Sequence, residues 1–358
     1  MLVEGVIADR DGVRRAYVRF RKGRVIETGQ IGTDSTRGRV RRIHGIVVPA
    51  PVNAHTHLAD AVWTREPPHE PVEELVGSPT GLKFRLLGET PPTHKVAAMR
   101  AALRQMERFG IAATVDFREE GLEGVRLLRR AARGLPIRAV ILGRPTARPV
   151  DPAELRAVLK IADGVGLSSA SQEDASTRET IARMCRSLGK HFALHASEVV
   201  RESPEEYLRP RPDLLVHLTN ATDDDLGQVH DAGAYVAVCP RSNALFGRSP
   251  DFSRFQAADV KVMLGTDNAM FQAPSLWREL EFAYHTSRLA HRPVSPEFLF
   301  QATFVRPWDW LHEPRNAAVG AGGTDHALIL RLPTEDPYYQ LVARATEHLM
   351  LRPDSRRS

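Results

Sequence analysis

Two hydrophobic rhythms divide the chain. Over roughly 1–49, apolar and polar residues alternate in short runs broken by Gly and Asp: "LVEGVIAD", a "DRDG" turn, "AYVRFRKG" and "RVIETGQ". Period-two alternation between turn residues predicts antiparallel strands. From about residue 46 the rhythm changes. Short apolar runs now alternate with longer amphipathic stretches. The runs are "IVVPAPV" (46–52), "IAATVDF" (111–117), "IRAVILG" (137–143), "GVGLSS" (164–169), "HFALHA" (191–196), "LLVHLT" (214–219), "AYVAVCP" (234–240) and "VKVMLGT" (260–266). Among the stretches between them, 93–110 and 171–189 read as helices, the second opened by a polar cap. Strands apolar on both faces and separated by helices belong to a parallel sheet. Eight of them in about 220 residues match the count and length of a (β/α)8 barrel. After about 317, "AAVGAGGTDHALILRL" returns to β character. The pattern therefore predicts an α/β protein. A (β/α)8 TIM-like barrel occupies 50–316, and a small β-sandwich domain is formed from both chain ends, 1–49 and 317–358.

Composition changes this picture little. A chain of 358 residues suits one large domain with a small accessory. Its 42% hydrophobic and 26% charged residues are ordinary for a globular protein. No apolar run approaches the length of a transmembrane helix, and "MLVEGVIADRDGV" does not read as a signal peptide. Two cysteines, Cys185 and Cys239, make no disulfide framework and agree with a reducing cytoplasm. The net charge of +5 is small, and basic residues are interspersed with acids except in the tail "RPDSRRS". This argues against a nucleic-acid groove and for a small-molecule substrate, with no membrane partner. Self-association into a homo-oligomer stays open.

The polar residues at the C-terminal ends of the runs matter more, because barrel enzymes build their sites on that rim. His55 and His57 follow the first run. The fifth ends in His195, with Glu198 three residues on. The sixth holds His217, and the eighth runs into Asp267. Taken singly, each has a plain structural explanation: a strand-ending histidine is usually just hydrogen-bonded, and the Asp of "GTDN" would cap the next helix. Together they are harder to explain that way. Residues i and i+2 of a strand point to one side, so His55 and His57 face the same way. Imidazole and carboxylate donors suit Zn²⁺ or a similar divalent ion at about 2.0–2.2 Å. Three histidines and one aspartate leave a position for water, as catalytic metal sites do.

In this order, HTH after a Pro-x-Asn-Ala turn, "HASE", "VHL", "CPRSN" and "GTDN" resemble the amidohydrolase superfamily. Within it they are most similar to the branch of metal-dependent deaminases and chlorohydrolases. The resemblance runs from about 46 to 312. It implies His55, His57, His195 and Asp267 as metal ligands, with Asp267 also taking a proton from the attacking water. It implies Glu198 as the proton shuttle and His217 as the residue that orients the water-derived oxygen. Two-metal relatives carry a bridging carboxylated Lys at the end of strand 4, but here "GVGLSSA" has none, nor has "IRAVILGRP" of strand 3. One divalent metal per chain is therefore expected, with Zn²⁺ favoured and Fe²⁺ the alternative. The implied activity is hydrolysis of carbon–nitrogen bonds other than peptide bonds. Hydrolytic deamination of a purine, pyrimidine or pterin type of amino-heterocycle is its leading form. One alternative is hydrolysis of a cyclic amide, an amidine or a chloro-substituted ring. The other is a non-catalytic, metal-stabilised binding subunit, against which stands the filling of every expected catalytic position.

Rim residues without a metal role are candidates for the substrate. Arg118, Arg144 and Arg241 end runs two, three and seven and could grip a carboxylate or phosphate bidentately. The plain alternative pairs Arg118 with Glu119 or Glu120 and assigns Arg241 to the "PRSN" turn. The long loop 59–92 has the length of a lid or binding segment. In it Trp63 could stack on a planar base or serve as core, and Lys83 or Arg85 could meet an anion.

Overall fold

The computed structural model describes residues 1–33, 42–320, 323–324, 327–346 and 350–351. The architecture is mixed α/β with two sheets. The first is built from β1 (Leu2–Asp9), β2 (Gly12–Arg21), β3 (Arg24–Gly29) and β4 (Arg42–Pro49), joined later in the chain by β14 and β15. The second holds β5 (Val52–His57), β6 (Ala113–Arg118), β7 (Arg138–Gly143), β8 (Gly164–Leu167), β9 (His191–Ala196), β10 (Leu214–His217), β11 (Tyr235–Val238), β12 (Lys261–Leu264) and β13 (Asp267–Asn268). The two late strands of the first sheet are β14 (Ala327–Leu330) and β15 (Met350–Leu351).

The second sheet is parallel and runs β12-β11-β10-β9-β8-β7-β6-β5-β13. Its two outermost strands, β12 and β13, are separated by only Gly265 and Thr266 in the chain. The sheet therefore curls back on itself in a TIM-barrel-like manner, with Asp267 paired to Thr56 and Asn268 to His57. Strands β5 and β6 are buried along their whole length, as strands enclosed on both faces must be.

The first sheet runs β15-β14-β4-β1-β2-β3 and mixes directions, since β1 is antiparallel to β2 and parallel to β4. Its residues Val3, Ile7, Val18, Phe20, Val47 and Ile329 share one apolar cluster. One sheet of six strands is described where a sandwich of two had been expected. Both faces of its central strands are covered, since Ile46, Val47 and Val48 of β4 are all buried.

Three further expectations are corrected. The run "IVVPAPV" is not one barrel strand. Residues up to Pro49 pair with β1 and β14, and the barrel strand begins at Val52. Pro49 and Pro51 lack the N–H a ladder needs, so the chain changes sheets between them. The stretch 59–92 is not a bare loop, for it holds helices Val72–Val76 and Leu82–Glu89. The helix expected over 171–189 spans Ala175–Ser187 and is capped by Asp174, whose side chain accepts from the Thr177 N–H. The helix expected over 93–110 is found at Pro92–Arg108.

Packing divides the chain into two compact units. One comprises Met1–Val52, Arg108–Ala112 and Leu276–Ser358; the other comprises Asn53–Glu107 and Ala113–Ser275. Every candidate site residue lies in the second. No helix among the described residues is long and apolar enough to cross a membrane.

Candidate active site

The site is assembled at the C-terminal ends of the parallel strands. Alternation along β5 sends His55 and His57 to the same side, and both are buried. β9 supplies His195, and β10 ends in His217. Glu198 follows Ser197, and Asp267 opens β13. Ser197, His217 and Asp267 all adopt left-handed backbone, with φ of 48°, 76° and 57°. Such geometry costs about 1–3 kcal/mol per non-glycine residue and clusters where function requires a forced turn. Gly265, two residues before Asp267, has its own reason. A Cβ there would stand 2.7 Å from the His55 Cβ, so only glycine lets the chain pass so close. Beneath the histidines the Phe117 ring meets His55 edge-on at 4.5 Å and His195 at 5.0 Å, closing the barrel interior.

Four side chains converge. His55 Nε2 lies 3.2 Å from His195 Nε2 and 3.3 Å from Asp267 Oδ1, and His57 Nε2 lies 3.6 Å from the same oxygen. The protons of two rings are assigned by their far nitrogens. His195 Nδ1 faces the Leu167 carbonyl at 2.9 Å, and His57 Nδ1 faces Glu119 Oε1 at 2.7 Å. Both acceptors demand an N–H, which leaves each Nε2 a lone pair directed at the centre. Burial keeps the rings neutral: it lowers His55 and His195 below the ordinary histidine value and carries His57 down to about 3. Neutral imidazole lone pairs and a carboxylate oxygen thus crowd one point with no cationic side chain among them. This donor set fits a divalent metal ion of the zinc type. Asp267 Oδ2 accepts from the Ser242 hydroxyl at 2.5 Å, which leaves Oδ1 for the cluster.

His217 lies within donor range of His55 and His195. Its Nδ1 is 3.1 Å from the Asn243 side-chain nitrogen, and its Nε2 is 3.5 Å from Glu198 Oε1. With the amide donating to Nδ1, the ring proton sits on Nε2 and faces Glu198. Burial raises the Glu198 carboxyl above its usual range, against the opposing pull of His217.

Beside the histidines lies a second buried cluster, of opposite character. Lys83 reaches in from the helix Leu82–Glu89, 3.1 Å from Asp60 and 2.7 Å from Glu119. Arg118 pairs with Glu119 and, at 3.4 Å, with Asp116. Asp116 also accepts from the Leu58 N–H at 2.6 Å. Glu119 touches both clusters, since it meets His57, Lys83 and Arg118.

The substrate candidates divide accordingly. Lys83 and Arg144 line a small cavity of about 50 Å³ together with His57, Ser168, Glu198 and His217. Arg118 does not face it; its guanidinium is wholly buried and committed to Asp116 and Glu119, the plain alternative noted above. Arg85 is exposed on its helix. Arg241 braces a loop, donating from Nε to Gln272 at 3.1 Å and from Nη2 to the Ala273 carbonyl at 3.2 Å. Trp63 is half-buried and is not among the residues lining that cavity. Glu119, Asp60, Ser242 and Asn243 were not among the residues expected at the site. Ser242 and Asn243 were visible as the polar pair of "CPRSN", whereas Glu119 showed only as an acid beside an arginine.

The amidohydrolase family model matches residues 46–303. The chain is 37% identical to a protein of Methanothermobacter thermautotrophicus provisionally named as an aminohydrolase, over 79% of this chain and 80% of that one. Among solved structures, an adenosine deaminase of Xanthomonas campestris with bound zinc superposes with a TM-score of 0.81 at 16% identity, covering 99% of this chain and 91% of that one. The zinc complex of an atrazine chlorohydrolase from Arthrobacter aurescens gives 0.78 at 18% identity, covering 95% and 90%.

Proposed function

The chain belongs to the amidohydrolase family, and on that premise we propose that it is a hydrolytic deaminase of an amino-substituted heterocycle of purine, pyrimidine or pterin type. It is a metal-dependent hydrolase, and the barrel residues 50–316 are its catalytic part, with the chain ends as an accessory domain. His55, His57, His195 and Asp267 would hold one divalent ion, zinc rather than iron. When bound, such an ion acidifies water from 15.7 toward ~7.

The carrying observation is Glu198. Its side chain lines the same small cavity as His57, His195 and Asp267, burial raises its carboxyl above the usual range, and it sits 3.5 Å from His217. A carboxyl so placed can give a proton to a ring nitrogen, recover one from the attacking water and pass it to the departing amine. His217 Nε2–H orients the incoming oxygen, and Asn243 holds that tautomer. The balance is water plus C–NH2 giving a ring carbonyl and ammonia.

Ammonia release from a panel of amino-purines, amino-pyrimidines and amino-pterins, with metal content measured on the same sample, tests the reading. Ammonia from at least one class and one zinc per chain are expected. Chloride release from chloro-triazines with no ammonia would replace deamination by ring dechlorination, and two ions per chain would refute the single-metal site.

A further inference from the structure

Arg144 stands just beyond β7, between two cavities. One is the small cavity at the histidine cluster. The other, of about 600 Å³, has apolar walls that include Pro79, Phe84, Leu87 and Pro145. The side chain is only 5% exposed. It makes one hydrogen bond among the described residues, from Nε to the Gly166 carbonyl at 3.2 Å, and no ion pair. The nearby carboxylates are already engaged: Asp60 by Lys83, Asp116 by Arg118, Glu119 by both, Glu120 by Lys95 and Glu173 by Arg148.

A buried cation with no carboxylate in contact is costly, and proteins rarely retain one without a use. The contrast with other arginines is direct. Arg14, Arg118 and Arg201 are raised above their ordinary value beside carboxylates, whereas Arg144 is lowered by burial, to which Arg148 and Arg118 add and which Glu119 and Asp60 oppose without overcoming it. Its two terminal nitrogens have the parallel geometry that receives a carboxylate or phosphate in two hydrogen bonds.

We propose that Arg144 is the receptor for an anionic group of the substrate, a carboxylate or phosphate carried on an apolar or planar substituent that fills the larger cavity. The substrate is then bipartite. Its amino-heterocycle lies at Glu198 and His217, and its anionic arm passes Arg144. This rests on the deaminase reading for the position of the reacting carbon, but not for the anion site itself.

The test is calorimetric titration of the zinc-loaded protein with benzoate, phenyl phosphate and neutral benzamide. Wild type is compared with Arg144→Gln and with Arg144→Lys, which retains the charge. Wild type should favour at least one anion over benzamide by about ten-fold or more, the discrimination a bidentate charged contact supplies. Arg144→Gln should lose that preference, and Arg144→Lys should keep part of it. The anion preferred separates carboxylate from phosphate. Absence of any preference in wild type overturns the proposal. So does a preference that survives in Arg144→Gln, including one abolished only by zinc chelation, which would place the anion at the metal. Ammonia release on the same preparations is scored separately. Its absence beside an Arg144-dependent preference would fail the deaminase reading and leave the anion site standing.

Discussion

The histidine cluster and the lysine–carboxylate cluster lie side by side at one end of the same sheet, and both bury many polar atoms. They resolve the cost differently. Lys83 and Arg118 set positive charge directly against Asp60, Asp116 and Glu119, so each carboxylate of that cluster has a cationic side chain against it. His55, His57, His195 and Asp267 present lone pairs and one carboxylate to a shared centre, with no cationic side chain among them. In the first cluster the protein supplies the cations itself, whereas the second calls for a cation from solution. Local polarity alone therefore does not distinguish a structural charge network from a metal centre; the sign balance among the atoms that face each other does.

That contrast can be broken in several ways. The largest effect is expected on turnover. Glu198→Gln should keep zinc and lose rate by roughly 10²–10⁴-fold, the usual worth of a positioned acid–base group; an undiminished rate in steady-state assays would remove Glu198 from the chemistry. Next, Lys83→Met strands the buried Asp60 and leaves Glu119 to Arg118. Breaking a buried pair in this way costs about 3–5 kcal/mol, and denaturant melts should show the loss with or without zinc. Chelation should act only on the other cluster. Stability is expected to fall by about 4 kcal/mol relative to protein at a thousand-fold excess of zinc over its Kd, and melting midpoints that ignore zinc would contradict the metal assignment. The smallest effect sits at the junction. Glu119→Gln weakens the carboxylate that orients His57, and zinc competition against a chromophoric chelator should report about 10–100-fold lower affinity. Unchanged affinity would confine Glu119 to the charge network.

Much of this was legible from the pattern along the chain, for physical reasons. The positions of His55, His57, His195 and His217 followed from reading where apolar runs end, because a strand buried on both faces can place polar side chains only at its tips. The run 46–52 misled because a hydrophobic stretch carries no mark of which sheet it joins; that depends on Pro49 and Pro51 withholding hydrogen bonds. The rim arginines were the weakest part. Whether Arg118 faces ligand or carboxylate depends on Glu119 and Asp116 across the sheet, a tertiary fact with no periodicity. Lys83 appeared only as a cation in a loop, because nothing local shows that the helix Leu82–Glu89 turns it inward.

The ladder between the last strand and the first is the pairing of Asp267 with Thr56 and of Asn268 with His57, preceded by one bond from the Thr266 N–H to the His55 carbonyl. Two residue pairs are a slender seam for a closed ring of strands. An ion gripped from one edge by His55 and His57 and from the other by Asp267 would rivet that seam. Amide hydrogens of those few residues should then be the first to exchange once the rivet is drawn out, well before the remaining strands loosen.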